Sequence, residues 1–294
     1  MTVPPTPPLT PRLAHAFAAP RAEHAALIPY VTGGHPDVHT SSLLIGALIS
    51  GGADIVELGV PFSDPIADGP VVQRSTHEAL NHGVTLDDVL RLAATHGARV
   101  PFVLLTYLNP VLAYGPERFF SNAAQSGVEA VVIPDLPLDE AESMSSVLAP
   151  TAQGGEGRKT DASGGLASIA AAHGIGIVPM ATPTSTDERL DMVAAAATSF
   201  IYCVAVTGVT GARREVGADL PGLIARLRAR TTAPIAVGFG ISTPKQAAQV
   251  AELADGVIIG SALIDLISRS ASPEAACTAA ERLMREAGAA IRES

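Results

Sequence analysis

Eight short apolar runs recur along the chain: Ala26–Thr32, Asp54–Leu58, Pro101–Tyr107, Ala130–Ile133, Ile175–Met180, Phe200–Val206, Pro234–Val237 and Gly256–Ile259. Each is too short for a helix, rich in branched apolar residues and bounded by Gly or Pro. Such runs read as strands buried on both faces. Helical periodicity fills the gaps, at Thr40–Ser50, Leu86–His96, Glu117–Ser126, Asp187–Ala197, Leu220–Arg230 and Pro244–Leu253. Asp187 and Glu188 sit where the positive end of a helix dipole favours acids, and Pro244 follows Ser242 and Thr243 as a helix-start signal. Strands alternating with helices require a parallel sheet. Eight repeats in a chain of this length predict a single (β/α)8 TIM barrel before an open doubly wound sheet. The open sheet is further disfavoured because Gly33-Gly34-His35-Pro36 does not fit a dinucleotide-binding GxGxxG turn.

Two stretches depart from the rhythm. Residues 1–14 are Pro-rich and read as an extended N-terminal arm ahead of a barrel domain spanning 15–294. Residues 153–165 (QGGEGRKTDASGG) have no periodicity and read as a flexible surface insertion between the fourth and fifth strands. The formal net charge of −10 disfavours nucleic acid and anionic membrane as partners. Two cysteines 74 residues apart support neither a disulfide framework nor a Cys-based zinc site. No apolar run is long enough to span a bilayer, and the N-terminus lacks the apolar stretch of a signal peptide, so a cytoplasmic protein is expected.

Barrel chemistry sits at the C-terminal ends of the strands. Glu57 interrupts the apolar second run, and a carboxyl among apolar neighbours is desolvated and tuned for proton transfer. The competing reading is a Glu paired with a buried cation or with amides. Asp68 follows on a loop stiffened by Pro61, Pro65 and Pro70, which makes an acid–base pair possible; by itself, Asp68-Gly69 is ordinary turn chemistry. Gly-rich turns follow the sixth, seventh and eighth strands, at Gly208–Gly211, Gly238–Ser242 and Gly260-Ser261. Backbone amides can approach an anion closely there, which predicts a phosphate site. None of the eight histidines shows metal-ligand spacing, and no nucleophile elbow occurs, so neither a metal site nor a hydrolase triad is expected.

These residues carry a resemblance. Glu57–Gln73 (ELGVPFSDPIADGPVVQ) closely resembles the signature of the tryptophan synthase α family. The likeness continues in order through Pro29–Thr32, Leu105–Pro110, Ile133–Pro137, Val206–Arg213 and Val237–Ile241. The resemblance implies a lyase that cleaves indole-3-glycerol phosphate to indole and glyceraldehyde 3-phosphate. It also implies an αββα heterotetramer with a β subunit, which carries the pyridoxal phosphate and receives the indole; no cofactor is expected on this chain. By the same resemblance Glu57 and Asp68 are the catalytic pair. Tyr30, Tyr107, Tyr202, Thr210, Gly211, Gly238, Gly240, Gly260 and Ser261 are the substrate-binding residues, and Pro61, Asp64 and Asp135 belong to the partner interface. Two departures stand out: the segment between Asp135 and His173 is longer than is usual in the family, and Ala205 stands where Ser is common. A lyase acting without a β subunit remains open. The strand-two loop disfavours a phosphosugar isomerase, and retention of both carboxyls disfavours a non-catalytic activator.

Overall fold

The computed structural model describes residues 10–21, 24–136, 165–204, 219–238 and 240–294. Its strands are β1 Ala26–Thr32, β2 Val56–Gly59, β3 Phe102–Leu105, β4 Val128–Val132, β5 Gly176–Val178, β6 Met180–Ala181, β7 Ile201–Val204, β8 Ile235–Gly238 and β9 Gly256–Ile259. All neighbouring pairs are parallel, in the order β5-β4-β3-β2-β1-β9-β8-β7-β6. The two ends of that order are consecutive in the chain and separated only by Pro179. The predicted fifth run is therefore one barrel strand broken into β5, paired with β4, and β6, paired with β7. Proline has no N–H to give the ladder, but its carbonyl accepts from Tyr202 N at 3.0 Å and carries the seam across the break. The expected eight-stranded closed barrel is the observed architecture.

The helices wrap this sheet. They are α1 Pro11–Arg21, α2 Val38–Ser50, α3 Pro70–Asn81, α4 Leu86–His96, α5 Leu108–Tyr114, α6 Pro116–Gln125, α7 Leu166–Ala172, α8 Asp187–Ala196, α9 Leu220–Arg228, α10 Pro244–Ala251, α11 Ser261–Arg269 and α12 Pro273–Arg292. Side-chain caps start several of them. Thr85 and Asp88 form a reciprocal capping box on α4, and Asp37, Thr186, Thr243 and Ser272 cap α2, α8, α10 and α12. Periodicity had not singled out α12. Its buried stripe is carried largely by Ala276, Ala280, Ala287 and Gly288, whose small side chains give a weak apolar signal.

One boundary differs from the sequence reading. Helix α1 begins at Pro11, inside the 1–14 segment read as an extended arm. Leu13 and Phe17 are buried, and Phe17 packs on Phe200 with ring centroids 5.3 Å apart. Phe200 and Gly256 mark strand beginnings, so α1 covers the N-terminal mouth of the barrel. Glu129 on β4 anchors the helix from below, accepting from Leu13 N at 3.3 Å and pairing with Arg12 at 3.3 Å. Burying two large apolar side chains contributes roughly 1.5–3 kcal/mol each, which an extended arm would forgo. The opposite mouth, at the strands' C-terminal ends, is left for chemistry.

Candidate active site

Glu57 sits mid-strand on β2, in register with Tyr30 on β1 and Val103 on β3. Strand alternation turns it to the barrel interior, where it is 1% exposed. Among the described residues neither of its carboxyl oxygens has a hydrogen-bond partner. The alternative of a Glu neutralised by a cation or by amides finds no support in those residues. Burial, reinforced by the charge of Asp68, pushes its carboxyl up to about 8.

Asp68 ends the β2–α3 loop, which is braced by a bond from Asp68 N to Pro65 O (3.1 Å) and one from Gln73 Nε2 to Asp68 O (2.9 Å). Burial raises the Asp68 carboxyl to about 6, opposed by a hydrogen bond from the Tyr107 hydroxyl. That hydroxyl also accepts from Ala67 N at 3.0 Å. Tyr107, at the end of β3, thus grips both the backbone before Asp68 and the Asp68 carboxyl. Near neutral pH the two carboxyls are held in opposite states, Glu57 protonated and Asp68 ionised, as a proton donor beside a fixed negative charge requires.

A cavity of about 230 Å³ opens at Asp68. Asp68, Tyr30 and Tyr202 line it, with Leu105, Val71 and Ile258 as apolar walls. Burial raises the Tyr30 and Tyr202 hydroxyls well above their ordinary value, so both stay neutral. Gly240, Gly260 and Ser261 line another part of the cavity. Gly240 has φ +82°, a conformation glycine adopts without strain. Gly260 caps α11 and Ser261 opens it, so that helix presents backbone donors and its positive dipole end to the cavity. The site offers an apolar-walled cavity, two differently charged carboxyls and helix-start backbone donors able to receive an anion.

The sequence-derived candidates are sorted as follows. Glu57, Asp68, Tyr30, Tyr107, Tyr202, Gly240, Gly260 and Ser261 converge on this site. Gly238 is near it in another role: a β-carbon there would lie 2.9 Å from Tyr202 Cζ, so its bareness seats the tyrosine. Ser242, in the same Gly-rich turn, directs both its N–H and its hydroxyl to Gln246 Oε1 at 2.9 and 3.0 Å. Thr210, Gly211, Ala205 and most of the 153–165 insertion lie outside the described residues. Of the interface candidates, Pro61 is buried and Asp64 exposed, while Asp135 accepts from Leu108 N at 2.9 Å and so holds the start of α5. The sequence reading passed over Gly59, Thr32 and Ser75. Gly59 makes room for the Tyr30 ring, whose Cζ would lie 2.8 Å from a β-carbon there, and Thr32 bonds Ser75 at 2.7 Å behind the cavity. Small hydroxyl residues carry no periodic signal; Gly59 was visible only as part of the strand-two motif.

Known proteins resemble the chain along most of its length. The family described as "Tryptophan synthase alpha chain" matches residues 17–152 and 160–292. The chain is 42% identical over 266 residues to the tryptophan synthase alpha chain of Pelobacter propionicus, covering 90% of this chain and 91% of the relative. It is 42% identical to that of Geobacter sulfurreducens, covering 90% and 92%. Among solved structures, a chain of Mycobacterium tuberculosis tryptophan synthase superposes with a TM-score of 0.81 at 35% identity, over 96% of this chain and 98% of that one. The Legionella pneumophila subunit alpha gives 0.78 at 32% identity, over 96% and 99%.

Proposed function

The chain belongs to the tryptophan synthase α-chain family, and from that premise we propose that Glu57 and Asp68 divide the proton work of its reaction. That reaction is a carbon–carbon lyase step, the retro-aldol cleavage of indole-3-glycerol phosphate to indole and D-glyceraldehyde 3-phosphate. The observation that carries the assignment is the pair of carboxyls acting on each other and pushed to about 8 and about 6, with Asp68 lining an apolar-walled cavity. Protonated Glu57 delivers its proton to indole C3. The ring then carries positive charge at N1, where the Asp68 carboxylate stabilises it. Glu57, now a carboxylate, takes the proton of the C3′ hydroxyl. The C3–C3′ electron pair returns to the ring, indole leaves and the C3′ carbonyl forms. Glu57 ends as it began, so atoms and protons balance. Each proton transfer contributes on the order of 10²–10⁴-fold.

Tyr30, Tyr202, Leu105 and Ile258 flank the indole ring in this reading. The phosphate lies on the backbone of Gly240, Gly260 and Ser261, with Gly211 as a further donor by the family resemblance and Gly238 supporting through Tyr202, while Thr210 is by the same resemblance the partner of Asp68. Dry, preorganised donors suit this task because they need no reorganisation as charge moves. The chain's partner is a β subunit in an αββα assembly, approached through the loop of Pro61 and Asp64 with Asp135 beside it. The partner carries pyridoxal phosphate and consumes the indole in L-tryptophan synthesis, and the assembly is cytoplasmic. Among the described residues no helix is long and apolar enough to cross a membrane, and no cluster of three or more His, Cys, Asp or Glu residues could hold a metal.

The test is indole release from indole-3-glycerol phosphate by the purified chain, with and without a β subunit. Slow release alone and acceleration by the partner is the expected result. No release in either condition overturns the reading, and full speed without the partner favours a stand-alone lyase.

A further inference from the structure

Asp68 stands in a loop between β2, which ends at Gly59, and α3, which begins at Pro70. Its carboxyl meets a substrate in one place only if the backbone that carries it is fixed. Packing does not fix the 68–69 peptide: a β-carbon on Gly69 would meet nothing within 4 Å, and glycine is the residue least able to resist rotation. Pro70 restricts the residue before it, Gly69, but not Asp68. Hydrogen bonds fix the peptide instead. On the N-terminal side, Ala67 N donates to Tyr107 Oη at 3.0 Å and Asp68 N to Pro65 O at 3.1 Å. On the C-terminal side, the Asp68 carbonyl accepts from Gln73 Nε2 at 2.9 Å. Gln73 is itself tied to the loop, because its N–H donates to Gly69 O at 3.0 Å and closes the first turn of α3.

We infer that Gln73 is a positioning residue for Asp68, its side-chain amide aiming the carboxylate by holding the carbonyl of the same residue. With Asp68 N bonded to Pro65 and Asp68 O bonded to Gln73, both peptide planes that flank the residue are held. Two held planes set the direction of the Cα–Cβ bond, and so aim the carboxylate into the cavity that Asp68 lines. Gln73 complements Tyr107, which grips Ala67 N and the carboxyl itself. Gln73 does not line that cavity; its exposed side chain faces an outer groove with Phe62, Pro65 and Leu80. Its effect on the chemistry therefore passes through Asp68. The inference rests on the reading of Asp68 as the carboxylate that meets indole N1.

The test compares binding of indole with binding of benzothiophene, which has nearly the same shape but sulfur in place of the N–H. Only indole donates to the Asp68 carboxylate. The purified chain should prefer indole by at least about tenfold, the lower end for a hydrogen bond to a charged group. Gln73→Met keeps the side chain's length and suits a helix but has no donor. It should cut that preference by about threefold, within the range for loss of one neutral hydrogen bond, and leave benzothiophene affinity in place. Gln73→Ala, at the same exposed position, should do the same and serves if Gln73→Met does not fold. In an Asp68→Ala background Gln73→Met should change neither affinity, because the group it positions is gone. A purified chain that does not tell the two rings apart overturns the reading of Asp68 and this inference with it. Where the chain does tell them apart, three results overturn the inference alone: a preference kept in both Gln73 variants, an equal loss of both ligands, or an effect that persists without the Asp68 carboxylate.

Discussion

Tyr202 and Gly238 share one volume at the β7–β8 seam: a β-carbon on residue 238 would fall 2.9 Å from Tyr202 Cζ and closer still to the hydroxyl. Gly238 therefore acts on the cavity through the tyrosine, whereas Gly240 and Gly260 line it directly. Two different defects are expected. Gly238→Ala should displace Tyr202 and weaken binding of free indole and of the phosphorylated substrate alike. Gly260→Val should raise KM for the phosphorylated substrate while indole binding suffers less, because the donors at the start of α11 are blocked. Inhibition constants for indole and for glycerol phosphate, measured on both variants, separate the two. If Arg213→Ala weakened phosphate binding far more than Gly260→Val, a cation and not the backbone would hold the anion.

Glu57→Gln conserves volume but can neither give nor take the proton. It is expected to fold and to lose at least about 10²-fold in kcat. Retention of more than roughly a tenth of wild-type kcat in a coupled aldehyde assay would remove Glu57 from the proton relay.

The same residue makes stability depend on pH. Its folded-state carboxyl is raised from 4.5 to about 8, so the unfolded chain ionises first as pH rises. Glu57 therefore favours the folded state at low pH, and that contribution is lost as pH climbs from about 4.5 through about 8. Asp68 acts in the same direction over the lower part of that window, from 3.8 to about 6. Glu57→Gln should unfold at a higher temperature than wild type above the folded value, with the difference closing in acid. Calorimetric Tm values at both ends of the window check this, and a variant less stable than wild type at the alkaline end would contradict it.

Tyr107→Phe removes one hydroxyl and two bonds, leaving Ala67 N and the Asp68 carboxyl without it. That hydrogen bond lowers the Asp68 carboxyl, so its loss raises it further. The acidic limb of kcat/KM should move up, and activity below neutral pH should fall more than activity above it. An unchanged acidic limb would show that Tyr107 braces Ala67 N and packs on the Phe62 ring, 5.3 Å between centroids, without tuning Asp68.

Deleting residues 153–165 is expected to leave kcat nearly unchanged, because the segment contains none of the residues assigned to the site. A loss as deep as that of Glu57→Gln would place the segment in the chemistry.

Much of the site is written in local sequence. The strand-two motif binds Glu57, the stiffened loop and Asp68 into one covalent unit, so their proximity needs little beyond the chain itself. The alternation of runs set the parallel barrel, and a barrel places its chemistry at the strand ends. The first strands of the site pair directly, β1 with β2 and β2 with β3, so Tyr30, Glu57 and Tyr107 come together as sequence neighbours do. Pro179 shows the limit: periodicity marks one strand, but only the ladder shows that a residue without an N–H splits it between two partners.

By itself the sequence determined the barrel, the two carboxyls and the glycine turns, because strand periodicity, charge in an apolar run and bare backbone are properties of neighbouring residues. The tertiary structure decided what those parts do. Burial sets Glu57 and Asp68 apart in charge, Gly238 turns out to make room for Tyr202, and α1 reaches under the barrel where an extended arm was expected. Thr32 and Ser75 are 43 residues apart, and only the packing of α3 against β1 brings their hydroxyls to 2.7 Å. A hydrogen bond between distant residues depends on the position and orientation of both partners, and neither is encoded in the residues beside them.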